Sequence, residues 1–246
     1  MSGLAIDDAA WRSAWRPRSP ADKLLLSGGL VLSALLLPVW PGSVLVGLAA
    51  VVLALGPARV PARTFGRAVR WPLSFLLIGA LTTVVEVGGD GIGWAPDAVV
   101  QGSALVGHGV AGSAAVLLLA TTTPMSDLLP ALQRLRVPAA VIEVASVTYR
   151  MLFVLLTSLR TIREAQTARM GYAGLRHSYR SSGALAAAVL TRSWDRARRL
   201  QEGLAGRGLE TGLRVLPETL PASRRFEAAS VLGLAALAAV SLVVAA

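Results

Sequence analysis

The sequence predicts an all-α membrane protein with about five transmembrane helices and a cytoplasmic region of long amphipathic helices. Three observations carry that reading. Hydrophobic residues make up 54% of the 246-residue chain and charged residues only 15%, against about 25% charge in an ordinary soluble domain; the mean hydropathy is +0.61. All 24 Lys and Arg fall in three stretches separated by pairs of apolar runs. Finally, the longest apolar segment outside those pairs carries a polar residue every seventh position, the mark of a helix with one wet face.

The charge pattern sets the topology. Arg12, Arg16, Arg18 and Lys23 come first, then Arg59, Arg63, Arg67 and Arg70, then sixteen more from Arg134 to Arg225. The connections Pro38 to Gly42 and Glu86 to Asp97 carry none. Cytoplasmic loops hold an excess of Lys and Arg, so all three basic stretches are expected on the inner side of a bacterial inner membrane, with the N-terminus cytoplasmic. The net charge of +10 then suits anionic lipid headgroups or an acidic protein partner. Nucleic acid is a poor fit, because aromatic residues are few and the arginines alternate with apolar spans.

Residues 1–22 read as a retained cytoplasmic segment, since Asp7, Asp8 and a broad Arg/Trp region do not resemble a signal peptide. Residues 23–120 hold four predicted spans. Leu24 to Trp40 and Ser43 to Leu55 form a tight hairpin around Pro41 and Gly42, which break a helix. Trp71 to Val87 and Ala98 to Ala120 form a second pair around a Gly-rich loop, Gly88 to Pro96. Trp40, Trp71 and Trp94 sit at boundaries, where an amphipathic ring prefers the headgroup level. In the fourth span Ser103, Gly107, Ala111 and Ala115 recur every four residues, a spacing that lets helix backbones approach closely in lipid. His108 lies among them and is expected to be a packed, hydrogen-bonded interface residue, there being no second ligand in reach.

Residues 121–225 form the cytoplasmic or interfacial region. A short helix from Asp127 to Arg136 is ended by Pro138. The next helix, Val137 to Tyr172, is apolar enough over Val137 to Leu159 to pass as a further span. Crossing there would strand Arg160 through Arg225 outside, against the charge rule. Glu143, Arg150, Thr157 and Glu164 also draw a stripe along one face. The helix is therefore expected to lie at the inner membrane surface, about 50 Å long at 1.5 Å per residue. A third helix, Gly183 to Arg207, is expected to be capped by Ser181 or Ser182. Residues 226–246 form the last predicted span, with Glu227 its only charge.

Two of these helices end in similar words: Ala168-Arg169-Met170-Gly171 and Ala205-Gly206-Arg207-Gly208. Each puts an arginine in the last turn followed by a glycine. Taken singly, either end has an ordinary account, with arginine at the negative end of the helix dipole and glycine in the left-handed conformation that closes a helix. Two copies, 38 residues apart, suggest a pair of presented cations that would suit a two-fold symmetric or pseudosymmetric acidic partner. The chain has no cysteine and only two histidines, His108 and His177, so neither a thiolate nor a local His/Cys/Asp metal site is expected. It also lacks a Gly-x-x-x-x-Gly-Lys-Ser/Thr phosphate loop. An intramembrane enzyme using His108 or Glu86 would need a second polar group at matching depth, and the spans supply little beyond Thr82, Thr83 and Ser103. A lipid-binding scaffold holding anionic headgroups on its basic helices is a further alternative.

The stretch from Tyr149 to Leu156, continuing from Arg163 to Tyr172, resembles the T component of energy-coupling factor (ECF) transporters, in its cobalt-type CbiQ branch. The N-terminal Trp/Arg region, the Thr-Thr-x-Pro turn at Thr122 to Met125, the Arg136-Val137-Pro138 break and both arginine motifs extend the resemblance over nearly the whole chain. It implies a non-catalytic membrane scaffold without cofactors, whose coupling helices dock on a pair of cytoplasmic ATPase subunits. A substrate-binding membrane subunit and a small accessory membrane subunit would complete the importer. Ala168, Arg169, Gly171, Ala205, Arg207 and Gly208 would be the docking residues by resemblance. The substrate implied is cobalt or a related transition-metal ion, although T components also serve vitamin importers. Two departures from the family pattern stand out: Met170 separates Arg169 from Gly171, and Gly206 precedes Arg207 where the family has alanine.

Overall fold

The computed structural model describes residues 5–88, 91–94, 98–134, 136–208 and 223–245. Among the described residues the regular structure is helical except for one small hairpin. Its helices are α1 (Ala5–Arg12), α2 (Pro20–Leu36), α3 (Val44–Leu55), α4 (Ala62–Val84), α5 (Ala98–Thr122), α6 (Met125–Arg134), α7 (Ala139–Ala168), α8 (Leu175–Ala205) and α9 (Arg224–Ala245). The all-α membrane class is therefore correct. Among the described residues, three helices are long and apolar enough to cross a bilayer by length and composition: residues 99–122 of α5, all of α7, and residues 224–244 of α9.

The chain divides into two compact units, Met1–Ala131 with Glu218–Ala246, and Leu132–Pro217. In the first, α5 packs on α2, α3 and α4, and the reason is its small residues. Ala111, Ala114, Ala115 and Leu118 are buried against a core of Leu30, Ala34, Val46, Ala50 and Ala54. A Cβ added at Gly107 would come within 2.7 Å of the Ser43 hydroxyl, and one at Gly109 would collide with Leu76. The predicted small-residue stripe is thus a packing seam at Gly107, Ala111 and Ala115, while Ser103 stays exposed and donates to the Val100 carbonyl at 2.9 Å. His108 is half-buried, with Nδ1 3.0 Å from the Ala104 carbonyl and Nε2 3.3 Å from the Leu37 carbonyl. It is a packed helix-interface residue, as expected.

The break between α2 and α3 falls at Val39–Ser43, where Trp40 leaves helical geometry at φ −116° and ψ 124°. Trp40 and Trp71 are both 73% exposed, in keeping with a headgroup-level position. The helix predicted from Trp71 starts nine residues earlier, at Ala62 directly after Pro61, and runs through Gly66 and Pro72. Its far end also differs from the expectation. The end of the predicted span and part of the predicted loop form a hairpin, Val85–Gly88 paired antiparallel with Gly91–Trp94. Residues 89–90 and 95–97 of that loop lie outside the described residues.

The start of α2, the end of α5 and the start of α9 are tied together by buried polar groups. Asp22 and Lys23 are 1% and 2% exposed. The Asp22 Oδ2 accepts from the Ser223 backbone N–H at 2.9 Å, holding the start of α9, and the Lys23 ammonium donates to the Thr122 carbonyl at 3.1 Å, holding the end of α5. The Thr122 hydroxyl donates back to the Leu118 carbonyl at 2.7 Å, so Thr122 is held in α5 by its hydroxyl and tied to α2 by its carbonyl.

Candidate functional site

The two arginine motifs fall in the second unit, at the ends of α7 and α8. Pro138 precedes α7 as its N-cap, where a missing N–H costs nothing. The polar stripe lies on the open face as expected: Arg150, Thr157 and Glu164 are exposed and Glu143 is half-buried. Thr157 satisfies its hydroxyl on the Phe153 carbonyl at 2.9 Å and Thr167 on the Arg163 carbonyl at 2.8 Å, which keeps these polar side chains compatible with the helix. Another face, through Val147, Met151, Leu155 and Leu159, lines an apolar groove of about 470 Å³ closed on its other side by Val189, Ala197 and Leu200 of α8.

At the end of α7, Arg169 is the C-cap residue and Met170 takes the left-handed conformation, φ +58°. The Gly171 N–H donates to the Gln166 carbonyl at 2.8 Å and the Met170 N–H to the Thr167 carbonyl at 3.0 Å. This pair of bonds is a Schellman closure, with methionine in the place glycine usually takes. Gly171 is needed for a different reason than the one expected. A Cβ there would lie 2.8 Å from both the Gln166 carbonyl oxygen and the Ser181 hydroxyl oxygen, too close for any side chain.

The corner is fastened by side chains that sequence reasoning missed. Tyr172 donates its phenol to Gln166 Oε1 at 2.8 Å, Gln166 Nε2 donates to the Ser181 carbonyl at 3.1 Å, and the Ser181 hydroxyl donates to the Gly171 carbonyl at 2.7 Å. Ser181 is therefore a clasp inside α8, and the expectation that Ser181 or Ser182 caps a helix starting at Gly183 is wrong. The helix begins at Leu175 after an extended Gly174, since Leu175 to Ser182 contains no helix breaker. The available signal was the polar pair Gln166 and Tyr172, six residues apart across the turn. With the backbone held from below, Ala168, Arg169 and Met170 are exposed. Arg169 makes no ion pair or side-chain hydrogen bond among the described residues.

The second motif closes differently. Ala205 is the last residue of α8 and Gly206 remains right-handed at φ −63°, ψ −15°. The Arg207 N–H donates to the Leu204 carbonyl at 3.1 Å and the Gly208 N–H to the Ala205 carbonyl at 3.0 Å. Here the expected account holds, because Gly208 is left-handed at φ +67°. Ala205, Arg207 and Gly208 are exposed; Leu209 and the stretch to residue 222 lie outside the described residues. Arg169 and Arg207 are not brought together. They flank α8, whose 31 residues put about 45 Å of helix between them. Among the described residues there is no group of three or more His, Cys, Asp or Glu able to hold a metal ion.

The comparisons with known proteins agree with this architecture. The family model CbiQ, described as cobalt transport protein, matches residues 12–217. The chain is 42% identical over 223 residues to the cobalt transport protein CbiQ of Rhodobacter capsulatus, covering 91% of each chain. It is 30% identical over 208 residues to the cobalt transport protein CbiQ of Salmonella typhimurium, covering 78% of this chain and 90% of that one. A chain named as a fused cobalt transport protein CbiMQ, from Methanocorpusculum labreanum, is 26% identical over 225 residues, which are 87% of this chain and 37% of that one. The matched region contains α2 to α8 and both arginine motifs, and on this evidence the chain is a multi-pass membrane component that belongs to the CbiQ cobalt transport family.

Proposed function

We propose that this chain is the T component of an ECF-type importer, a non-catalytic membrane scaffold that couples ATP hydrolysis by two cytoplasmic ATPase subunits to uptake of cobalt ion through a substrate-binding membrane subunit. The observation that carries the proposal is the pair of exposed arginines, Arg169 and Arg207, one at each end of α8. A guanidinium presents five donors in a rigid plane and stays charged, which suits acceptors in a groove on a soluble partner. The helix length between them is on the scale of two neighbouring subunits rather than one binding pocket.

In this reading Ala168 and Ala205 let the partner's surface approach, Gly171 and Gly208 set the turns, and the two arginines supply the charge. Closure of the ATPase pair on nucleotide moves the helix ends, and α7 and α8, lying along the inner membrane surface, carry the movement to the substrate-binding subunit. Their apolar groove supports a place for a membrane partner on the same helices. The fused CbiMQ relative supports it too, since there the matched region is part of a longer cobalt transport chain. The orientation with a cytoplasmic N-terminus follows from the charge rule.

Cobalt uptake by proteoliposomes holding the complete importer tests the proposal. Arg169→Glu combined with Arg207→Glu is expected to abolish ATP-driven uptake while the variant still inserts and purifies. Uptake at the wild-type rate in that double variant would overturn it.

A further inference from the structure

The groove between α2, α3 and α9, in the first unit, combines two chemistries that together fit one class of ligand. Its walls are apolar, with Leu26 and Leu30 from α2, Leu53 from α3, and Gly233 and Leu237 from α9, enclosing about 350 Å³. Trp15 and Phe226 line the same groove, with their rings edge to face at 5.4 Å. The Arg18 guanidinium lies 4.5 Å from the Phe226 ring centroid and 5.7 Å from that of Trp15. Arg18 is exposed and makes no ion pair or side-chain hydrogen bond among the described residues. Stacking uses the flat face of a guanidinium and leaves its edge donors free. Arg224 and Arg225, exposed at the start of α9, add charge at this end, with Glu227 one turn inside.

We propose that this groove is a binding site for one anionic phospholipid, with an acyl chain between α2, α3 and α9 and the headgroup phosphate on Arg18. The apolar walls suit a chain of methylenes. From Phe226 to Leu237 the groove follows about 16 Å of α9. Charge selects the headgroup: the rim is cationic, and anionic lipids are concentrated in the cytoplasmic leaflet that the charge rule assigns to this end. The site also gives the lipid a structural consequence, because it bridges α9 to the hairpin of α2 and α3.

Native mass spectrometry of the full chain released from vesicles of equal phosphatidylglycerol and phosphatidylcholine tests the site. The wild type is expected to retain phosphatidylglycerol with about a fivefold preference, the size expected for one arginine at an anionic surface. Arg18→Gln should bring the preference close to one, while Arg67→Gln, an equal loss of charge at an exposed place on α4, should leave it unchanged. Gly233→Leu fills the groove from a position where an added Cβ meets nothing within 4 Å, and should lose the bound lipid of either kind; Ala229→Leu fills it from the same helix if that variant does not purify. No preference in the wild type, an equal loss in Arg67→Gln, or lipid retained in both groove-filling variants would overturn the proposal. So would photocrosslinking from position 233, in the complete importer, to a polypeptide instead of lipid.

Discussion

Met170 holds a left-handed backbone that costs a residue with a Cβ about 1–2 kcal/mol, while the glycine beside it is spent on close approach. Two expectations follow at this scale. Met170→Gly should raise stability by about 1 kcal/mol or leave it unchanged, read as the thermal midpoint in detergent. Gly171→Ala should lower it by about 1–3 kcal/mol, because the new methyl meets the Gln166 carbonyl and the Ser181 hydroxyl, and should speed tryptic cleavage at Arg169. The presence of a helix end with an exposed arginine was legible in the sequence at both motifs. Which residue would turn left-handed was not. A glycine near a helix end can serve either conformation or clearance, and only the partner atoms, here on Gln166 and Ser181, decide between them. The same gap explains the misplaced start of α8: Ser181 looks like a cap until its hydroxyl is seen to donate to the Gly171 carbonyl.

Among the elements, α5 and α2 hold the membrane unit together by opposite means. Small residues let α5 sit close to α3, so Gly107→Val, which drives a side chain against Ser43 and Val39, is expected to cost about 2–3 kcal/mol and to lower yield from membranes. At the start of α2, Lys23→Met should cost about 1–3 kcal/mol by leaving the Thr122 carbonyl without its donor and by removing the cation that faces Asp127 and Asp22. Combining it with Asp22→Asn should recover part of that loss, measured as thermal midpoints of the single and double variants. The stripe on α5 was legible because its period matches the helix. The Asp22–Lys23 tie was not, because its partners, the Thr122 carbonyl and the Ser223 N–H, lie about 100 and 200 positions away in sequence. The hairpin at Val85–Trp94 was hidden by a composition that reads as loop, and the length of α4 by arginines that mark a membrane boundary without ending a helix.

For the whole molecule, the spacing of charge predicts a membrane protein with one strongly basic side, and family membership places it in cobalt transport. In the proposed function, two separated arginines, Arg169 and Arg207, grip a pair of ATPase subunits. Each single variant, Arg169→Glu or Arg207→Glu, should then weaken retention of the ATPase and the double variant should lose it, whereas exchanging another exposed arginine such as Arg150 should do neither. The most direct measurement is co-purification in mild detergent of the wild type, the two single variants and the double variant with the cytoplasmic ATPase, quantified by mass spectrometry. Docking through the two arginines predicts full retention by the wild type, partial loss in each single variant and loss in a well-folded double variant. Equal retention of the ATPase by all four proteins would contradict it.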